Sequence, residues 1–400
     1  MKSKKKVKNV CVRSEQLKFR KRHLWRCLNL TDKKGIYIHI PFCVKKCNYC
    51  SFNSYENMFK YEDEYTDALI KQIKNSNDGA IDTIYIGGGT PSAIKEENIA
   101  KILGGVFSHF DVKKDAEITI EVNPGTVNKE KIKSYKQNGI NRISIGSQDF
   151  SGEGLKTLGR IHTADDIYTA FEIAYETGIN NVSLDLMYAF FGQTVENLKK
   201  SLKKIISLNP EHISTYALSI EEGTPFFESV KNKKYSPLSD ETYSTMYETI
   251  CTMLKGAGYK HYEISNFAKE GYHSRHNTLY WKCNEYFGFG AGASGYINNE
   301  RFKMTSDILS YINNPLLKEE TDLLNEKDKM SEFVILGLRM TDGIDKNEFC
   351  KRFETDIYDV FKDELDKHIN ITKMIHDKNG RIYLDKKAYF VSNIIFSDFI

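Results

Sequence analysis

Six short runs rich in β-branched residues recur between residues 36 and 218, with segments of helical periodicity between them. The runs are IYIHI (36–40), TIYIG (83–87), EITIEV (117–122), RISIG (142–146), VSLDLMY (182–188) and HISTYAL (212–218). Strands that alternate with helices in this way predict repeated β–α–β units and a parallel sheet. Six units suit either an incomplete barrel or a doubly wound open sheet, so the chain is expected to be an α/β protein.

Five of the predicted strands end in residues that could bind a ligand. Cys43 follows the first strand, GGGT (87–90) follows the second, and Glu121 lies on the third. Gln148 follows the fourth strand and Asp185 lies on the fifth. Because the carboxyl ends of parallel strands form the active-site face of α/β proteins, these residues predict a cofactor site at that face.

The apolar runs and the placement of the cysteines indicate the cellular compartment of the protein. No run approaches the roughly 18 apolar residues that span a bilayer, and the basic N-terminus lacks the apolar stretch of a secretory signal. The eight cysteines are scattered except for one cluster, a pattern typical of a reducing cytosol in which clustered thiols bind metal. We therefore predict a cytoplasmic protein without a transmembrane segment.

The charge is divided unevenly along the chain. The net +3 consists of +11 on residues 1–34, with thirteen Lys/Arg against two acids, and −8 on the remainder. Such a basic arm could contact nucleic acid, an anionic membrane surface or an acidic partner. A solvated, poorly ordered arm is the simpler interpretation, and no nucleic-acid partner is expected.

Three cysteines, Cys43, Cys47 and Cys50, lie within the eight residues CVKKCNYC. Thiolates bind zinc, copper or iron–sulfur clusters. Strand alternation directs the neighbouring His39 away from the centre of the loop, so it is a poor fourth ligand for zinc. Three cysteines would leave one iron of an iron–sulfur cluster without a protein ligand, and a small molecule could bind at that position.

The Cys-x3-Cys-x2-Cys spacing, with an aromatic residue before the last cysteine, resembles the signature of the radical S-adenosylmethionine (radical SAM) superfamily. The resemblance implies a partial (β/α)6 barrel in which the three cysteines hold a [4Fe–4S] cluster. It also implies that the amino and carboxylate groups of SAM chelate the fourth iron. By position, the implied SAM contacts are Tyr37, Tyr49, Gly88, Gly89, Thr90, Glu121, Gln148, Arg160 and Asp185. Arg160 would pair with the SAM carboxylate, and the acidic and amide groups would accept from its amino group and ribose hydroxyls.

Longer stretches resemble one family within that superfamily. RISIGSQDF, LGRIHTADD, HISTYALSIEEGTPF and YEISNFAKEGYHSRHNTLYW are similar to the oxygen-independent coproporphyrinogen III oxidase family. The oxidase branch carries a fourth cysteine where this chain has Phe52, and the HemW-type heme chaperone branch carries His-Asn-x-x-Tyr-Trp, present here as HNTLYW (276–281). The resemblance thus implies heme binding and delivery to an unidentified acceptor protein. Oxidation of coproporphyrinogen III, or of another tetrapyrrole, is the alternative, and whether the protein is an enzyme stays open.

For heme, a flat apolar surface and an axial donor are needed. Tyr280 and Trp281 offer the surface, and His276 is a candidate ligand of the heme iron, although it could equally be a hydrogen-bonded packing residue. Two departures from the family concern the sites. YAFFGQT (188–194) replaces the usual YGLPGQT, and Ser294-Gly295 stands where His-Ser is common.

The chain is expected to divide into four parts: a basic arm (1–34), a radical SAM core (35–265), a Gly/aromatic-rich connection with the HNxxYW motif (266–320), and a C-terminal winged-helix-like α+β domain (321–400). The connection, which contains YWKCNEYFGFGAGASGY, is expected to be irregular. In the last part, IHDKNGRIYL predicts a hairpin that turns at Asn379-Gly380. DNA reading is not expected there, because thirteen bases face sixteen acids.

Overall fold

The computed structural model describes residues 33–400, so all but the last two residues of the predicted basic arm lie outside the described residues. The strands are β1 (Gly35–Ile40), β2 (Phe42–Cys43), β3 (Tyr55–Glu56), β4 (Ala80–Gly88), β5 (Asp111–Val122), β6 (Arg142–Gln148), β7 (Asn181–Tyr188), β8 (His212–Ala217), β9 (Lys260–Glu263), β10 (Asn266–Ala268), β11 (Tyr286–Phe289), β12 (Ser294–Ile297), β13 (Glu300–Met304), β14 (Lys318–Leu323), β15 (Ile344–Asp345), β16 (Ile375–Lys378) and β17 (Arg381–Leu384).

The helices are α1 (Glu62–Lys74), α2 (Glu96–His109), α3 (Lys129–Gln137), α4 (Gly152–Leu158), α5 (Ala164–Glu176), α6 (Val195–Leu208), α7 (Pro225–Lys231), α8 (Asp240–Gly256), α9 (Arg275–Trp281), α10 (Ile308–Asn313), α11 (Glu326–Gly337), α12 (Lys346–Phe353), α13 (Ile357–Val360), α14 (Lys362–Asp366) and α15 (Ser392–Phe396).

Twelve strands form one mixed sheet in the order β14–β13–β12–β11–β1–β4–β5–β6–β7–β8–β10–β9. Its centre, β1 and β4 to β8, consists of parallel neighbours in chain order. A doubly wound sheet reverses its strand order at a switch point, whereas a consecutive order belongs to a barrel. The predicted partial (β/α)6 barrel is therefore confirmed, and the doubly wound alternative is not.

Alternation along the central strands separates an apolar outer face from a polar inner face. Ile36, Ile38 and Ile40 of β1 are fully buried in the main hydrophobic core. Tyr37 lies on the opposite face of the strand, where its ring stacks 6.4 Å from that of Tyr85 on β4. Because the inner face carries polar side chains, the interior of the barrel can support chemistry at its carboxyl end.

The expectation that the Gly/aromatic-rich connection is irregular was wrong. Residues 286–289 form β11, which pairs in parallel with β1, and β12, β13 and β14 continue the sheet as antiparallel neighbours. Glycines weaken the sequence signal for a strand, but the free edge of β1 supplies backbone partners for this segment. Gly295 also has a packing reason, since an added Cβ would lie 2.2 Å from the ring of Phe302.

The C-terminal part consists of helices α11 to α15 around a three-stranded sheet of order β15–β17–β16. The predicted hairpin turn is present: Asn379 and Gly380 have φ of 54° and 77° between β16 and β17. Positive φ at both central residues is the geometry that Asn-Gly favours. Among residues 33–400, no helix is long and apolar enough to cross a membrane.

Candidate functional site

A cavity of about 500 Å³ lies at the carboxyl ends of β4 to β8, beside the loop that carries the three cysteines. Eight of the nine predicted SAM contacts line it: Tyr49, Gly88, Gly89, Thr90, Glu121, Gln148, Arg160 and Asp185. The ninth, Tyr37, lies deeper in the barrel, where its Oη is 2.8 Å from Nδ1 of His39. Phe52, at the position of the oxidase branch's fourth cysteine, is 67% exposed and also lines the cavity.

The cysteine loop is held against the barrel by Asn48. Its backbone N–H donates to the carbonyl of Leu158 (3.1 Å), and its Nδ2 donates to the carbonyl of Thr157 (2.9 Å). Gly159, at φ 76°, leaves room for this contact, because a Cβ there would lie 2.9 Å from the Asn48 amide. The three thiols are therefore presented by an anchored loop.

The three thiols are free and differ in their surroundings. Cys43 is buried and accepts a hydrogen bond from Thr90 Oγ1 (3.6 Å), while Cys47 and Cys50 are partly exposed. Burial raises the pKa of the Cys43 and Cys50 thiols. Within residues 33–400, no three His, Cys, Asp or Glu side chains are grouped so that they could hold one metal ion. Three cysteines on one loop suit a cluster in which each thiolate binds a different iron.

Two glycines of the GGGT segment let backbone approach the thiols and the cavity. Gly88 has φ 119°, and a Cβ there would lie 2.7 Å from the His39 ring. A Cβ on Gly89 would lie 2.8 Å from the carbonyl oxygen of Phe42 and 3.0 Å from Cys43 Sγ. His39 itself is bound through both ring nitrogens, to Tyr37 and to the Asn53 carbonyl (2.7 Å), so it has no nitrogen free for a metal.

Two carboxylates form the floor of the cavity. Glu121 accepts hydrogen bonds from Tyr85 Oη (2.9 Å) and from the backbone N–H of Gly88 (3.1 Å), and burial raises its pKa to about 7. Asp185 accepts from Ser144 Oγ at 3.1 and 3.2 Å, and burial raises its pKa as well. These groups can accept hydrogen bonds from a ligand amine or hydroxyl.

Gln148 combines backbone strain with an unused acceptor. Its φ is 59°, in a region that is costly for residues other than glycine, and it lies at an irregularity between β6 and β7. Its Oε1 is buried and has no hydrogen-bond partner. A buried acceptor without a partner on a cavity wall fits a ligand that brings a donor, such as a ribose hydroxyl.

Arg160 is positioned by Cys47 and by three residues that were not predicted to belong to the site: Asn123, Gly146 and His162. Its Nη2 donates to Asn123 Oδ1 (2.9 Å) and to the Gly146 carbonyl (2.8 Å), and its Nη1 donates to Cys47 Sγ (3.4 Å). Its Nε donates to Nδ1 of His162 (3.4 Å), whose pKa is lowered to about 4 mainly by burial. The Arg-x-His spacing was visible in the sequence, whereas the contact with Asn123 depends on the fold.

The heme candidates lie elsewhere. His276 is buried near the amino ends of β4 and β5: Nδ1 is 2.8 Å from Thr83 Oγ1, and Nε2 is 2.7 Å from Tyr280 Oη. Its backbone N–H donates to Glu117 (3.0 Å), and burial lowers the ring's pKa to about 3. Neither nitrogen is free for iron, so the packing alternative describes this residue in the structure.

Tyr280 and Trp281 line a second cavity of about 380 Å³ between α9 and α11. Its walls are mainly aromatic and aliphatic, with one ion pair, Arg301 to Glu332. The lining residues are Tyr280, Trp281, Cys283, Asn284, Tyr286, Arg301, Glu332, Ile335 and Leu336. The structure thus brings two of the three heme candidates to one apolar cavity and leaves His276 in the barrel.

The segment YAFFGQT carries strain where the family has glycine. Ala189 has φ 58°, and its N–H donates to Gln193 Oε1 (2.7 Å). Phe191 compensates in part, since it stacks on Tyr235 at 4.7 Å and packs edge-on against Phe226. Phe191 and Phe226 belong to a small hydrophobic cluster against which the cavity residue Tyr49 packs.

The Ala189→Gly variant is expected to be more stable than the wild type by about 0.5–1 kcal/mol. Glycine adopts the left-handed conformation without strain, which stabilises the folded state by about 1–2 kcal/mol. Glycine also makes the unfolded chain more flexible, which reduces this gain by up to about 1 kcal/mol. Urea denaturation would measure the free energy of unfolding. The matched control, Ala170→Gly inside α5, should lose about 1 kcal/mol. A destabilised Ala189→Gly protein would contradict this interpretation.

The cavity, the three thiols and the partial barrel correspond to a known class. The family model of the radical SAM superfamily matches residues 37–205, and that of the HemN C-terminal domain matches residues 324–391. The chain is a radical SAM protein, a class that implies a [4Fe–4S] cluster and SAM. The residues present fit these groups, through the three thiols, the glycine cradle and the unpartnered acceptor of Gln148.

Curated relatives define the family. A protein of Bacillus subtilis (strain 168) named heme chaperone HemW is 36% identical, over 92% of this chain and 99% of its own length. One of the same name from Lactococcus lactis subsp. lactis (strain IL1403) is 33% identical, over 93% and 98%. The chain belongs to the HemW heme chaperone family. The solved structure of coproporphyrinogen III oxidase (HemN) from Escherichia coli has the same fold, with a TM-score of 0.79 over 92% of this chain and 90% of that chain at 21% identity.

Proposed function

We propose that this protein binds heme and delivers it to an acceptor protein, and that its action depends on a [4Fe–4S] cluster and SAM. The names of its relatives support the proposal. The observation that carries it is the pair of cavities with different chemistry: a polar one beside the thiols and an apolar, aromatic one between α9 and α11. Two ligands of different polarity could be held at the same time.

The polar cavity is proposed as the SAM site. Cys43, Cys47 and Cys50 would hold the cluster, which supplies an iron with an open coordination position. Arg160 would pair with the SAM carboxylate, and Glu121 would accept from its amino group. Gln148, Asp185 and Tyr49 would contact the ribose and adenine. The support is that all these residues except the cysteines line one cavity of about 500 Å³, a size typical of a single small-ligand site.

The apolar cavity is proposed as the heme site. Tyr280, Trp281 and Tyr286 line it with aromatic rings, and Ile335 and Leu336 add aliphatic side chains. The guanidinium of Arg339 covers one face of the Trp281 ring, 4.3 Å from its centroid. Arg301 lines the cavity and carries a positive charge, so it would pair with a heme propionate. It would then give up its ion pair with Glu332. His276 is not included, because both of its ring nitrogens are hydrogen-bonded inside the barrel.

The Ile335→Trp variant is expected to bind heme at least about tenfold more weakly, because the larger ring would fill the cavity. Titration of hemin into the reconstituted protein, followed by the Soret absorbance, measures this affinity. Iron content and SAM binding should stay at wild-type levels, because Ile335 does not line the polar cavity.

The matched control is Ile371→Trp, which makes the same change at a side chain that is 78% exposed. Its heme affinity should equal that of the wild type. Unchanged heme binding by Ile335→Trp would remove the apolar cavity from the proposal, and absence of heme binding by the wild type would overturn the proposed function.

Oxidation of coproporphyrinogen III is the alternative function, favoured by the fold shared with HemN. It requires a tetrapyrrole beside SAM, and Phe52 in place of the oxidase branch's fourth cysteine disfavours it. Turnover of coproporphyrinogen III by the reduced protein under anaerobic conditions would show that the protein is an oxidase. A cytoplasmic location is proposed as well, because the side chains of Cys43, Cys47, Cys50, Cys251 and Cys283 are free thiols.

A further inference from the structure

Arg142 is an unusual residue for the interior of a barrel. It lies at the amino end of β6 and is only 2% exposed. Among residues 33–400, no other Lys or Arg side chain is buried to this degree. Because burial of a charge costs several kcal/mol unless it is compensated, the surroundings of this guanidinium should explain its presence.

The neighbours of Arg142 in its own layer do not neutralise it. Thr119 on β5 and Asn181 on β7 are its Cα partners in register, so the three side chains lie on the same face of the sheet. Thr119 Oγ1, Arg142 Nε and Asn181 Oδ1 are all buried and without a hydrogen-bond partner. Adjacent donors and acceptors of this kind fit ordered water, which would solvate the guanidinium from this layer.

The next layer towards the cavity contains the carboxylates. Glu121 is in register with Ser144, and both are two residues further along their strands than Thr119 and Arg142. Ser144 Oγ donates to both oxygens of Asp185. Arg142 thus lies directly beneath the two carboxylates that form the cavity floor.

The positive charge of Arg142 has the same effect on the pKa of both carboxyl groups, Glu121 and Asp185. Burial is the main effect and raises the pKa of Glu121 and of Asp185, whereas Arg142 lowers both. It also lowers the pKa of His276, which burial already depresses, so this ring is neutral and adds no second positive charge beside Arg142. The other titratable groups that interact with this cluster are Tyr37, Tyr85, His212, Tyr216, Tyr262 and Tyr280.

We propose that Arg142 is a positioning residue for the SAM site, which keeps Glu121 and Asp185 ionised and therefore able to accept hydrogen bonds from the cofactor. The inference rests on the SAM half of the proposed function and is independent of heme. It assigns no contact between Arg142 and SAM. The guanidinium affects SAM binding only through the ionisation of the two carboxylates.

The experiment compares Arg142→Met, which removes the charge and keeps the length, with Arg142→Lys, which keeps the charge. Equilibrium dialysis of labelled SAM against the reconstituted proteins is performed from pH 6 to 9. For Arg142→Met we expect about tenfold weaker binding at pH 7, and a midpoint of the pH dependence at higher pH than that of the wild type. Arg142→Lys should restore the midpoint towards that of the wild type.

A double variant separates positioning from a purely structural role. If Arg142 acts through Glu121, Arg142→Met should cost less SAM affinity in a Glu121→Gln background than alone. Additive losses, or an Arg142→Met protein with an unchanged pH midpoint and only a lower melting temperature, would overturn the proposal. If Arg142→Met does not fold, Arg142→Gln provides the uncharged variant. Failure of the wild type to bind SAM would instead reject the SAM site itself.

Discussion

The Cys47→Ser variant is expected to fall from about four irons per chain to less than one after anaerobic reconstitution. A [4Fe–4S] cluster held by three thiolates has no spare protein ligand, and a serine oxygen is a poorer ligand for these irons. Iron and sulfide analysis, with the visible absorbance of the cluster, measures the loss.

The fold should survive this substitution, because the loop is anchored by Asn48 rather than by Cys47. Far-ultraviolet circular dichroism should therefore match that of the wild type. The control is Cys251→Ser, which changes a free, partly buried thiol on α8 and should keep full iron loading. Full loading of Cys47→Ser would mean that the three-cysteine motif does not hold the cluster.

The second large effect is a pH dependence of SAM binding. Burial raises the pKa of Glu121 to about 7, so this side chain is mostly protonated at pH 6 and mostly ionised at pH 8. Because only the ionised form offers both oxygens as acceptors, SAM affinity should rise about tenfold between these pH values. Dialysis of labelled SAM at fixed ionic strength would measure the change.

Stability should change in the opposite direction. A carboxyl group whose pKa is raised in the folded state favours the protonated form there, so its ionisation destabilises the fold as the pH rises from about 4.5 to 7. The protein without SAM should therefore lose stability over the range in which SAM binding begins to strengthen. Urea denaturation at pH 5 and pH 8 would measure this difference.

Glu121→Gln is the matched control for both measurements. The amide keeps an acceptor oxygen and the side-chain length but does not titrate, so SAM binding should be weaker and its pH profile flatter. Any dependence that remains would come from Asp185, whose pKa is also raised, or from the amino group of SAM. A profile identical to that of the wild type would show that Glu121 is not the titrating group.

Most of the barrel and the polar cavity could be predicted because the relevant signals are local. Strand alternation fixes which side chains share a face, and parallel strands carry their end residues to one edge. Glu121, Gln148 and Asp185 were found in this way. Asn123 was missed, because its contact with Arg160 depends on how two distant loops meet.

The expectation of irregular structure in YWKCNEYFGFGAGASGY (280–296) failed for a related reason. A glycine-rich segment has weak strand propensity, and only the free edge of β1 makes β11 a strand. The HNTLYW motif shows the same limit: the sequence placed its aromatic residues together but could not tell that Tyr280 and Trp281 would line a cavity at a distance from the cysteines.

The amino-acid sequence alone determined the three-thiol motif, the six strand–helix units and the residues at the strand ends, because each depends on spacing along the chain. Only the tertiary structure decided that His276 is enclosed by Thr83 and Tyr280, and that Arg142 lies beneath Glu121 and Asp185. Strand register and the packing of distant elements set these relations, and neither is encoded in local periodicity.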